Sequence, residues 1–155
     1  MTDQEILAVK EALYNYCQAQ VNNRIREAED AMASARSTSE GETKSSAGDK
    51  YETTREMMQQ EIARNEAQLL ASGKLRYALQ QIKTDFVNDT VQEGSLVFTE
   101  QGNFYIAISL GETEALGKKY FSISPASPLG AKMITKKAGE TVAFNGKSYK
   151  ITAVY

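Results

Sequence analysis

The carboxylates Glu40, Glu42 and Asp49 stand inside one run, RSTSEGETKSSAGDKYE (residues 36–52), a stretch of Ser, Thr and Gly that ends on Glu52 and lies between two longer patterned segments. Carboxylate oxygen is the ligand a hard divalent cation such as Mg²⁺ prefers. Lys44 and Lys50 stand among the acids and weaken that attraction. Composition closes most other chemistry. The chain has no histidine and one cysteine, which removes Ser-His-Asp and Cys-His catalysis, histidine-ligated zinc, zinc fingers and the usual general base near neutral pH. Cys17 has no partner for an internal disulfide and falls in an apolar helical stripe, so it reads as a packing residue. No run approaches the ~18 apolar residues of a membrane span. The amino terminus, MTDQEILAVK, begins acidic and lacks an apolar signal core, so the cytoplasm is the expected location.

Two long elements must position the run. At 155 residues the chain suits one ordinary domain or two small ones, with 41% hydrophobic and 25% charged residues, as in a soluble globular protein. From Ile6 the apolar positions run Ile6, Val9, Leu13, Cys17, Val21, Ile25, Ala28, Met32 and Ala35, at steps of three or four. That is the stripe of a long amphipathic helix, capped by Thr2 or Asp3 with Glu5 in its first turn. A second stripe runs Tyr51, Met58, Ile62, Leu69, Arg76, Leu79, Ile82 and Phe86. Two narrow apolar stripes hide most simply against each other, which predicts an antiparallel helical hairpin over residues 1–88 with a tip at about 37–50. Helices of about 33 residues at ~1.5 Å per residue make an arm on the order of 50 Å long.

After residue 90 the period becomes alternating. LVFT (96–99), FYIAIS (104–109), YFSIS (120–124), TVAF (141–144) and YKITAVY (149–155) read as strands, with Asn145-Gly146 as a hairpin turn between the last two. Ser127 and Pro128 suit the N-cap and first position of one short helix. The expected class is α+β: a helical hairpin, then a small antiparallel β-domain over 89–155 with one helix. Residues 1–50 carry nine acidic and six basic side chains and residues 91–155 five and seven. That imbalance is too slight to argue a nucleic-acid surface.

The order and spacing of these parts resembles the bacterial Gre transcript-cleavage factors over nearly the whole chain. The carboxyl-terminal stretch ISPASPLGAKMITKKAGETVAFNGKSYKITAVY is similar to that family's Ser-Pro, short helix, Lys-rich turn and closing hairpin, and AMASAR and YETTRE are similar to the flanks of its tip. The resemblance implies an FKBP-like β-domain that docks on RNA polymerase at the rim of the secondary channel. It also implies an arm that enters the channel, and tip acids that share a catalytic Mg²⁺ with the polymerase during cleavage of the nascent RNA. The protein would then be no enzyme itself, at most a cleavage-stimulating accessory factor without a cofactor of its own. Ser127 and Pro128 fall at the family's polymerase-docking position, and Arg36 and Arg55 match basic residues near the RNA 3′ end.

At the tip the sequence departs from the family's pattern. The signature Glu falls on Ala47 and the signature Asp on Lys44, and the segment is about four residues longer. Glu40, Glu42 and Asp49 are the candidates to hold the shared Mg²⁺ in their place; without that, the arm is a non-catalytic channel-occupying inhibitor. A different class of function is a peptide-binding chaperone or prolyl isomerase built on the FKBP-like domain. The chain has no Trp to line such a pocket, and Phe98, Phe104, Tyr105, Tyr120, Phe121, Phe144 and Tyr149 fit core packing on strands. A third is a dimerisation module, against which the Gly-containing run favours a monomeric hairpin.

Overall fold

The computed structural model describes residues 1–42 and 48–155, and of 39–42 and 48–51 the backbone alone. The first helix, α1, spans Asp3–Glu42 and the second, α2, spans Gly48–Gln80. The start of α1 is a reciprocal capping box: the Thr2 N–H donates to Glu5 Oε2 at 3.0 Å and the Glu5 N–H to Thr2 Oγ1 at 3.2 Å. Helical backbone runs further into the soft run than the expected 37–50 tip, since 37–42 and 48–50 are helical. The other end of α2 comes early. Ile82 and Phe86, counted in the second stripe, lie beyond Gln80. The helix tightens there through bonds from Gln81 to Ala78 and from Ile82 to Leu79 and then turns away.

The chain forms two compact units, one of Gln20–Arg76 and one of Met1–Ala19 with Tyr77–Tyr155. The first unit is a helical hairpin. Arg76 donates to Asn22 Oδ1 at 2.7 Å and Arg36 lies 3.9 Å from Glu66, so pairing falls along α2 as it rises along α1, the antiparallel arrangement. Its seam is narrow and made largely of small side chains: Val21, Ala28, Met32, Ala35 and Ser72 are buried, while Met58, Ile62 and Leu69 are half-buried.

The second unit is a sheet between helical layers. Its strands are β1 (Leu96–Thr99), β2 (Gly102–Ile106), β3 (Gly111–Ala115), β4 (Lys118–Ile123), β5 (Thr141–Phe144) and β6 (Lys147–Val154), with helix α3 (Pro128–Met133) between β4 and β5. The spatial order is β3-β4-β2-β1-β6-β5. On one face Val97, Phe104, Ile106 and Ile151 pack with Met133 of α3. On the other, the buried Cys17 of α1 donates from its thiol to Ser122 Oγ at 3.8 Å, and Ser122 donates to the Ile108 carbonyl. Burial pushes the Cys17 thiol above its ordinary pKa and holds it in its unreactive form. Ile6, Val9, Leu13 and Cys17 are buried in the same unit as the strands.

The sheet is mixed, where an antiparallel one was expected: β2 and β4 are parallel, with Phe104 opposite Phe121 and Ile106 opposite Ile123. The cause is β3, a strand absent from the sequence reading because GETEA has little β-propensity. The chain leaves β2, lays β3 one strand's width away, and returns as β4 in the gap. The returning strand must run the same way as β2.

The backbone is strained past the end of α3. Thr135, just past α3, has φ 72°, a left-handed conformation unfavourable for a β-branched residue. Its N–H is held by the Val91 carbonyl at 2.9 Å, and the Val91 N–H by the Lys136 carbonyl. Glycine takes this helix-end geometry freely. Thr135→Gly is expected to raise the unfolding free energy by about 1 kcal/mol in urea titration.

Candidate docking site

The Ser-Pro position is built by a knot of hydrogen bonds around Ser124. The Ser124 carbonyl accepts from the Ser127 N–H at 3.0 Å and from Ser127 Oγ at 2.6 Å, while Ser124 Oγ accepts from the Ala126 N–H. Ser127 is the N-cap of α3, with φ −65° and ψ 156°, and its Oγ accepts from the Gly130 N–H at 3.1 Å. The donor and one acceptor site of that hydroxyl are thus used inside the chain, which holds Ser127, itself half-buried, in place.

Pro128 at the first helical position is exposed, whereas Leu129 is half-buried and Gly130 and Met133 are buried. Gly130 is where the helix presses on the knot: a Cβ there would overlap the Ser124 carbonyl oxygen. The sequence reading passed over Gly130 and Ser124. A glycine inside a short helical pattern is the signal that marks such close approach.

The basic candidates are not brought together. Arg36 is exposed and level with Glu66, its partner at 3.9 Å. Arg55, also exposed, is eleven residues nearer the start of α2, about 16 Å of helix away. The side chains of Glu40, Glu42 and Asp49, and all of Lys44 and Ala47, lie outside the described residues. Among the described residues no three acidic or thiol side chains converge on a metal-sized site, and no helix is long and apolar enough to cross a membrane.

The site can therefore present a rigid apolar ring, Pro128, on a braced helix start, which suits docking against a protein surface. No family model matches the chain, and no curated protein matches it. Among solved structures it is similar to one described as the transcription factor Gfh1, at 19% identity over 93% of this chain and 94% of that one, with a TM-score of 0.33. At that score the likeness is too distant to assign fold or function.

Proposed function

We propose that this chain is a Gre-like regulator of transcription elongation. It binds RNA polymerase at the secondary channel, docking through Pro128 and passing the tip between α1 and α2 toward the polymerase active site. The observation that carries the reading is the stretch ISPASPLG, similar to the family's docking segment, together with the bracing that leaves Pro128 exposed while Ser127 is held internally. The protein needs no cofactor of its own. Mg²⁺ at the polymerase centre would be shared through Glu40, Glu42 and Asp49 if the tip takes part in cleavage, and Arg36 and Arg55 would lie toward the RNA.

The test is co-migration of the purified chain with core polymerase in gel filtration, followed by addition to backtracked elongation complexes. Binding is expected for the native chain and about a tenfold loss for Pro128→Asp, which puts a charge where an apolar contact is needed. Absence of co-migration overturns the reading. Transcript shortening that disappears when Glu40, Glu42 and Asp49 are all replaced by Ala assigns them the metal role. Binding without shortening makes the chain an occupant of the channel.

A further inference from the structure

We propose that the outer edge of β5 is a docking site for an acidic, extended segment of a partner protein, which adds to the sheet as a further strand. The proposal is independent of Pro128 and of the polymerase reading. β5 ends the sheet, so among the described residues one of its two edges has no strand beside it. The turn that joins it to β6, Asn145-Gly146, has φ of 50° and 75°, the two-residue hairpin turn that makes Phe144 and Lys147 a hydrogen-bonded pair. By alternation Val142 bonds to β6 as well, and the peptide groups of Thr141 and Ala143 point to the open side. The Ala143 carbonyl does so visibly, accepting from Lys132 Nζ at 3.0 Å.

Along that open side lies a groove of about 450 Å³ between β5 and the end of α3, with Ile134 and Val142 among its walls and Lys132 and Lys136 beside them. Strained Thr135 also lines it, and strain of this kind collects at binding and switch positions. The chemistry of the occupant follows from charge. Residues 128–155, which form α3 and the last hairpin, contain five lysines and one acid, Glu140, while residues 1–127 carry nineteen acidic and thirteen basic side chains. Glu140 is engaged, accepting from the Lys137 N–H at 2.7 Å and lying 3.9 Å from Lys136 Nζ. An anion is what this surface lacks. A strand supplies what a nucleic acid cannot, N–H and C=O groups at the spacing of Thr141 and Ala143, and alternate side chains for an apolar groove.

Lysine at an edge also guards against stray pairing. Lys132 guards the Ala143 carbonyl in the free protein and, once displaced, meets the carboxylates of the incoming strand.

The probe is an acetylated hexapeptide alternating valine and glutamate, titrated at low salt into the isotopically labelled full chain. Saturable binding is expected, with shifts centred on the Thr141 and Ala143 amides and about tenfold slower hydrogen exchange at Ala143. Lys132→Ala with Lys136→Ala should weaken it about tenfold, and the same peptide with lysine for glutamate should not bind. Ala143→Pro is tolerated at an open edge but removes the outward donor, so it should abolish binding with distant resonances unmoved. Thr141→Pro repeats this away from the Lys132 contact. No saturable binding by about 1 mM overturns the proposal. So does binding indifferent to both prolines, equal competition by a single-stranded RNA dodecamer, or concentration-dependent self-assembly of the chain that excludes the peptide. None of these outcomes involves polymerase, so they leave the proposed function untouched.

Discussion

Gly130→Ala is expected to lower the unfolding free energy by about 3 kcal/mol, measured by urea titration followed by circular dichroism. The added methyl would overlap the Ser124 carbonyl oxygen and crowd Ser127 Oγ. Neither neighbour can retreat cheaply. The carbonyl holds the Ser127 N–H and hydroxyl, and the hydroxyl caps the helix. Moving α3 outward instead would draw Met133, which is fully buried, out of the core. Gly73→Ala is the control: Gly73 is an exposed position inside α2 with nothing within 4 Å of an added Cβ, so the same substitution should stabilise by about 0.5–1 kcal/mol. Under the proposed function, Gly130→Ala also loses polymerase binding, because Pro128 is presented by the knot that the methyl would break.

Stability should rise with pH between about 7.5 and 9, by about 1 kcal/mol, and Lys10→Met should abolish the rise. Lys10 is fully buried, its Nζ donating to the Phe86 carbonyl at 2.7 Å and lying 3.7 Å from the Phe86 ring centroid, with no carboxylate among the described residues paired to it. Burial lowers its pKa from 10.5 to about 8. Below pH 8 both folded and unfolded chains hold the proton, and the folded state carries the full penalty of a buried charge. As pH passes 8 the folded chain releases that proton while the unfolded chain keeps it up to about 10.5, so the unfolded state binds more protons and stability climbs.

The opposite trend sets in higher. Cys17, Tyr105 and Tyr120 are all held above their ordinary values by burial, so their contribution declines once the unfolded groups ionise, from about pH 9 for the thiol and 10 for the phenols. Equilibrium denaturation at pH 7.5, 8.25 and 9 reads the effect. A flat profile in the native chain would contradict it.

The Lys10 contact also explains a failure of helix reading. By spacing alone Phe86 continues the stripe of α2, yet its ring lies over Lys10 and against Gly94, where a Cβ would come within 3.0 Å of it. Gly94, at φ 90°, is in turn fixed by its N–H bond to the Ile106 carbonyl at 2.6 Å. Helix propensity of a few tenths of a kcal/mol per residue cannot compete with such an assembly. Lys10 itself was hidden for the reason that makes it unusual: a lysine beside Val9 on a helix is ordinarily solvated.

What the sequence determined by itself was the part governed by local rules. Periods of three to four and of two are properties of neighbouring side chains, so the helices, the strands at 96–99 and 141–144, the Asn145-Gly146 turn and the Ser127-Pro128 helix start could be read directly. The capping box was legible in part, since Thr2 and Glu5 bond across three residues. Only tertiary structure decided the rest. GETEA becomes a strand because β4 pairs with it from Gly111 to Ala115, and Gly130 matters because a carbonyl six residues back lies against it. Five scattered lysines, Lys132, Lys136, Lys137, Lys147 and Lys150, fall on the elements around an open strand edge because α3 and the last hairpin are packed together. These effects depend on distances between groups far apart in the chain or turned toward one another by packing, and no local pattern of residue types carries that information.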